Sequence, residues 1–181
     1  MKEPRLLTKY RKEVMPAMRD KFGYKSTMAV PRLSKVVVNI GTGKNAKETK
    51  LLEKMNKDIA IITGQKPALR KAKKSISGFK LREGTDVGIV ATLRGKRMYD
   101  FIDRLVSVAL PRSRDFHGLD AKSFDRAGNF SLGIKEHNIF PEVSYESLKD
   151  IFGFQITIVT TSRNREEGQE LLRLMGFPIK N

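Results

Sequence analysis

The sequence contains no cysteine among its 181 residues. Disulfide bonds, thiolate metal sites and cysteine nucleophiles are therefore excluded. Long apolar runs are also missing, since the longest spans only Ile59 to Ile62, whereas a membrane-spanning helix needs about 18 apolar residues or more. The basic N-terminus leads into no apolar stretch and carries Glu3, Glu13 and Asp20, so neither a secretory signal nor a transit peptide is indicated. These absences predict a soluble cytoplasmic protein.

Acidic residues are scarce as well. The chain has 36 Lys and Arg against 20 Asp and Glu, a formal net charge of +16 and a pI near 10.2. The excess is confined to the first two thirds, because residues 1–60 carry net +9, residues 61–120 carry +7 and residues 121–181 carry none. A confined positive excess favours a surface for a polyanion. Nucleic acid is the first candidate and an anionic membrane surface is the second.

The most basic segment runs from Gln65 to Arg82. Its 18 residues include seven Lys or Arg and no acid. Ser75, Ser77 and Gly78 indicate a flexible loop, and Phe79 lies among the charges. One interpretation is a solvated charged loop. The other is a phosphate-binding loop whose aromatic ring can stack on a base.

The order of predicted elements defines the fold class. Their order mixes helices and strands, and some neighbouring strands lack a crossover helix, which favours an α+β fold in one domain, residues 1–181. We expect a mainly antiparallel sheet with helices on one face and the other face open for RNA, because Asn39, Thr92 and Arg94 are polar positions in otherwise apolar strands. The predicted helices cover about 5–22, 51–63, 96–110 and 165–175, and the predicted strands 36–40, 68–72, 87–94, 130–134 and 154–161.

Enzyme motifs are present only in part. Residues Gly41 to Ala46 formally match a dinucleotide-binding fingerprint, but no acid ends the next strand, where the ribose would be bound. The histidines, His117 and His137, belong to no metal-ligand motif. We therefore predict no catalytic residue, no metal, no cofactor and no small-molecule substrate. A nucleotide-binding enzyme and a free RNA chaperone stay open as alternatives.

Six segments, taken in order, carry a resemblance to a known family. They are residues 35–41 (KVVVNIG), 62–67 (ITGQKP), 73–82 (KKSISGFKLR), 90–95 (VATLRG), 110–119 (LPRSRDFHGL) and 153–161 (GFQITIVTT). Together they resemble the bacterial family of large-subunit ribosomal proteins that bind 5S ribosomal RNA, universal large-subunit protein five. The resemblance implies attachment of 5S RNA to 23S RNA in the central protuberance, a loop contact with P-site transfer RNA and a bridge to a protein of the small-subunit head. Contacts with neighbouring large-subunit proteins are also expected, and none with a membrane.

With these roles in view, three sets of residues are expected to make the contacts. Arg70 to Arg82 is assigned to transfer RNA because Lys and Arg on a Ser/Gly frame hold phosphates without reading bases. The 5S RNA set is Lys9, Lys12, Asn39, Lys44, Gln65, Lys66, Thr92 and Arg94. The transfer RNA set is Arg70, Lys71, Lys73, Lys74, Ser75, Phe79, Lys80 and Arg82. The subunit-bridge set is Arg112, Arg114, Asp115 and Phe116.

Overall fold

The fold is α+β, as the sequence predicts. A computed structural model describes residues 3–43, 48–79, 81–114, 116–143 and 151–180. The strands are β1 Leu33–Gly41, β2 Ala68–Lys71, β3 Asp86–Leu93, β4 Phe130–Ile134 and β5 Phe154–Thr160. The helices are α1 Arg5–Lys9, α2 Met15–Phe22, α3 Thr49–Thr63, α4 Gly95–Arg104, α5 Leu110–Arg112 and α6 Arg165–Leu174.

The described strands form one sheet in the order β2-β3-β1-β5-β4. β2 pairs with β3 in the antiparallel sense, with Leu69 opposite Ile89 and a register shift between Arg70 and Lys71. The predicted α+β class with a mainly antiparallel sheet is confirmed. Side chains alternate along β5, where the residues at positions 154, 156, 158 and 160 are buried and Gln155 is exposed. This alternation is typical of a strand with only one covered face.

Two π-helical turns interrupt otherwise α-helical segments. Tyr10–Val14 joins α1 to α2, and Leu105–Ala109 joins α4 to α5. Each π turn comes two residues before a proline, Pro16 or Pro111. A proline cannot donate to the carbonyl four residues before it, and its ring collides with that carbonyl, so a wider turn relieves the collision. The helical segment predicted for about 96–110 therefore continues past Pro111 to Arg112.

The residues group into two compact units, and neither is continuous in sequence. Unit 1 contains Met1–Val36, Arg94–Leu132 and Thr157–Asn181, and unit 2 contains Val37–Leu93 and Gly133–Ile156. In unit 1, α1 packs on α4 and α2 packs on α6. In unit 2, α3 packs on β3 and buries Met55, Ile59 and Ile62. No helix in the described ranges is long and apolar enough to cross a membrane.

A tight turn in unit 1, from Asp125 to Asn129, packs against α6. Asn129 donates from its backbone and from its side-chain amide to the carboxylate of Asp125, both at 2.8 Å. Burial raises the pKa of Asp125, but these hydrogen bonds outweigh it and hold the pKa below its usual value. Within this turn, the Gly128 carbonyl accepts from the Thr160 hydroxyl at 3.0 Å. The same glycine lies against Gly168 of α6, so turn and helix are in backbone contact.

Candidate nucleic-acid interface

The end of α3 places Gln65 against β3 in unit 2. Gly64 takes φ +66, a left-handed conformation that ends the helix. The Thr63 hydroxyl lies 2.6 Å from the Ile59 carbonyl oxygen and 3.0 Å from that of Gln65. Gln65 then donates from Nε2 to the carbonyl of Thr92 at 3.2 Å. The structure thus brings together two of the residues predicted to contact 5S RNA.

Polar side chains without charge occupy the less buried face of two neighbouring strands. Asn39 is exposed on β1, between the buried Val38 and Ile40. Thr92 is half-buried on β3, between the buried Ala91 and Leu93. Both positions fall on the strand face that the sequence predicts for them. Lys66 is also exposed, whereas the predicted Lys44 lies outside the described residues.

One exposed polar residue of unit 2 is missed by sequence reasoning. Gln155 is exposed on β5, the strand next to β1 in the sheet order. The sequence does show an alternation of apolar and polar residues at Phe154, Gln155 and Ile156, which predicts a half-solvated strand. It lies in the family segment 153–161, but no cation surrounds it in the sequence, so composition does not single it out.

The remaining residues of the 5S set belong to unit 1. Arg94 is exposed and extended, and it lies one residue past the end of β3 as the N-cap residue of α4, so the strand ends one residue earlier than predicted. Lys12 is exposed in the first π turn. The Lys9 ammonium nitrogen is 3.5 Å from the point that a Cβ on Gly176 would occupy, just beyond α6. It is therefore placed to stabilise the partial negative charge of that helix end.

The basic segment folds as a hydrogen-bonded hairpin, which we call the basic hairpin, residues 70–85. Ala72 donates to the carbonyl of Thr85 at 2.8 Å, and Gly84 donates back to Ala72 at 3.0 Å. Nearer the tip, Ile76 and Leu81 form a β-bridge, and Glu83 donates to the Ser75 hydroxyl oxygen at 2.9 Å. The sequence predicts a flexible loop, whereas these bonds give the segment a regular backbone.

The charged side chains that the structure describes on the predicted positions of the basic hairpin are exposed. The predicted cations Arg70, Lys71, Lys73, Lys74 and Arg82 are all exposed, as is Ser75. Phe79 follows in a short 3₁₀ turn and is 74% exposed, so its ring is available to a partner rather than packed as an anchor. Lys80 lies outside the described residues. The hairpin therefore combines cations with one accessible aromatic ring.

The predicted bridge loop follows α5 in unit 1. Arg112 and Arg114 are exposed and Phe116 is half-buried, while Asp115 lies outside the described residues. The far end of the loop is held by the C-terminal segment, because Leu119 donates to Pro178 at 2.8 Å and Lys180 donates to Leu119 at 2.9 Å. Two exposed guanidinium groups thus lie in a loop whose far end is held by backbone hydrogen bonds.

The features that suggest an enzyme have structural explanations. The backbone N–H of Thr42, in the glycine-rich turn, donates to the Val87 carbonyl at 3.0 Å and so is not offered to a phosphate. His137 is buried, stacks on Phe152 with ring centroids 4.1 Å apart, and accepts from the Phe152 backbone at Nδ1. Among the described residues, no group of His, Asp and Glu is arranged to hold a metal ion.

Comparison with known proteins shows which family the chain is similar to. A family model described as ribosomal protein L5 matches residues 26–82, and a second, described as the C-terminus of that ribosomal protein family, matches residues 86–179. Large ribosomal subunit protein uL5 of Streptococcus thermophilus is 53% identical over 175 residues, 97% of each chain. The uL5 protein of Carboxydothermus hydrogenoformans is 50% identical over 176 residues, 97% of this chain and 98% of that protein.

These matches place the chain in the class of ribosomal proteins, which are structural rather than enzymatic. More specifically, the chain belongs to the ribosomal protein L5 family. The predicted large-subunit ribosomal protein, its non-enzymatic nature and its ribosomal location in the cytoplasm are confirmed by this membership. The enzyme alternative, with a nucleotide at Gly41 to Ala46, is thereby wrong.

Proposed function

We propose that the protein binds 5S ribosomal RNA and attaches it to 23S RNA in the central protuberance of the large subunit. The observation that carries this proposal is the neutral polar surface of unit 2, where Gln65 is joined to Thr92 and Asn39 is exposed on the neighbouring strand. Hydroxyl and amide groups can bond to ribose 2′-hydroxyls and base edges, which distinguish RNA from DNA.

The cations of the proposed set supply the phosphate contacts. Lys66 lies beside Gln65 in the sequence and is exposed, and Lys9, Lys12, Lys44 and Arg94 complete the proposed set. Phosphate contacts orient a complex without reading its sequence, while the neutral groups read shape and edges. Neutralising six phosphates gives a log–log salt slope of roughly −4 to −5, so we expect affinity to fall steeply with salt.

The test replaces Asn39 with alanine and Thr92 with valine in one variant. Valine keeps the shape of Thr92 and its carbonyl, which accepts from Gln65, and removes only the hydroxyl. We expect 5S RNA affinity to fall on the order of tenfold to a hundredfold, since two hydrogen bonds of about 1 kcal/mol or more are lost. A filter-binding titration at two salt concentrations measures both the affinity and the slope.

Ser34→Ala is the matched control, because Ser34 is exposed on β1 and lies outside the proposed set. It should bind 5S RNA as the parent does. Equal affinity of the double variant and the parent would show that the neutral surface does not contact 5S RNA.

A second proposed contact is the bridge to a small-subunit head protein through Arg112, Arg114, Asp115 and Phe116. It is supported by two exposed guanidinium groups in a loop whose far end is held by backbone bonds. Small polar interfaces release readily, which suits a contact that re-forms as the subunits rotate.

Reversing both charges, with Arg112→Glu and Arg114→Glu, should weaken subunit association roughly threefold to tenfold, the range of a few exposed ion pairs. Light scattering during magnesium titration of purified subunits measures this. The control is Lys122→Glu with Arg126→Glu, which reverses two exposed charges elsewhere in unit 1. Unchanged association of the first variant, or equal loss in both, would refute the bridge.

A further inference from the structure

A cavity of about 630 Å³ lies within unit 1, between the first helical segment, the second π turn and the end of α6. Its walls include Lys9, Lys12 and Glu13 from one side and Val106 and Ser107 from the other. Pockets of about 300–1,000 Å³ are the usual size for small ligands. The cavity is therefore large enough to hold a single nucleotide.

Both π turns contribute residues to this cavity. Met15 donates to Tyr10 in the first turn, and Leu110 donates to Leu105 in the second, each across five residues. Isolated π turns are rare and frequently lie at functional sites. Here two of them, on separate helical segments, flank one cavity.

The prolines behind these turns also change the chemistry of the walls. Pro16 and Pro111 have no N–H for the carbonyls four residues earlier, those of Lys12 and Ser107. Both residues line the cavity. Their carbonyls thus lose the donor four residues further on that an unbroken α-helix would provide.

The charged side chains of the cavity are an ion pair, two lysines and Glu13. Arg5 donates to Asp103 at 2.6 Å and to Ser107 at 3.1 Å, and the bond to Asp103 raises the pKa of Arg5. Lys9 and Lys12, three residues apart, lie on the same side of the helix. The floor is aliphatic, formed by Leu6, Val106 and Met175.

We propose that this cavity binds one unpaired nucleotide of 5S ribosomal RNA, an inference that rests on the proposed 5S RNA binding. The phosphate lies at Lys9 and Lys12, and the base lies on the aliphatic floor. An exocyclic amino group of the base donates to Glu13, since carboxylates accept from such amino groups. A nucleotide combines an anion with a flat base that covers the aliphatic floor, whereas an acidic peptide side chain supplies only the anion.

Filling the cavity tests the proposal. Val106→Phe adds bulk at the floor without changing charge, and Val108→Phe adds the same bulk at an exposed position on the same π turn that does not line the cavity. We expect Val106→Phe to lower 5S RNA affinity on the order of tenfold, because the added ring occupies the volume that the base would fill. One 5S nucleotide protected in the parent complex should become reactive to base-specific chemical probes. Val108→Phe should do neither.

A charge variant covers the case in which Val106→Phe disturbs the fold. Lys12→Met keeps the aliphatic stem and should make the same nucleotide reactive to the probes. Lys25→Met should not, because Lys25 is an exposed residue of unit 1 outside the cavity. Parent-like binding and protection in both Val106→Phe and Lys12→Met would overturn the cavity proposal and leave 5S binding intact. Normal RNA binding with poor subunit incorporation would point to a protein segment and also overturn it. No 5S binding by the parent would refute the proposed function, and the cavity proposal with it.

Discussion

Replacing Gly168 with alanine is expected to destabilise the protein by about 3 kcal/mol, at the upper end of the usual range for overpacking. A Cβ at this position would lie 2.3 Å from the carbonyl oxygen of Gly128 and 2.6 Å from its Cα. Both are backbone atoms, so no side chain can rotate away. The Gly128 carbonyl also accepts from the Thr160 hydroxyl, and shifting the turn would lengthen that bond.

The direction of this result separates packing from helix propensity. In an exposed helix, alanine is more favourable than glycine by about 1 kcal/mol, so propensity alone predicts a gain for Gly168→Ala. Gly133→Ala is the control, because nothing lies within 4 Å of its Cβ position. We expect the urea midpoint to fall sharply for Gly168→Ala and to change little for Gly133→Ala. A midpoint at or above that of the parent would show that α6 does not contact the turn as described.

The helices show how far apolar spacing predicts this fold. Leu6, Tyr10, Val14 and Met18 recur at helical spacing and are buried, so the first helical segment could be predicted from Arg5 to Phe22. The π turns could not. Pro16 and Pro111 signal a helix boundary or a widened turn equally well, and packing of the flanking segments decides between them.

The sequence predicts the residue types of the candidate site better than it predicts their geometry. Alternation in β1 and β3 is enough to place Asn39 and Thr92 on the less buried strand face. The bond from Gln65 to Thr92 joins residues 27 positions apart and depends on the left-handed turn at Gly64. The sequence predicts a flexible loop for the basic hairpin because Ser and Gly dominate its tip, whereas its backbone pairing depends on residues across the hairpin.

Removing three charges from the basic hairpin should produce the largest change in RNA binding. We propose that this hairpin contacts P-site transfer RNA, and we expect Lys73→Ala, Lys74→Ala and Arg82→Ala together to weaken that contact by tenfold or more. Each lost phosphate contact lowers the steepness of the salt dependence by about 1, so the log–log slope should fall by about 3. Transfer RNA binding to the P site of reconstituted ribosomes, measured at several salt concentrations, gives both quantities.

The variant should still bind 5S RNA, since Asn39, Gln65 and Thr92 keep their positions. Lys50→Ala, Lys57→Ala and Lys135→Ala together form the control, because they remove three exposed charges from the same unit outside the hairpin. Phe79→Ala separates stacking from charge. Loss of the exposed Phe79 ring should weaken transfer RNA binding by about 1–3 kcal/mol and leave the salt slope unchanged. Loss of 5S binding with normal transfer RNA binding would show that the two surfaces are exchanged, because the same cations would then be holding the phosphates of the other RNA.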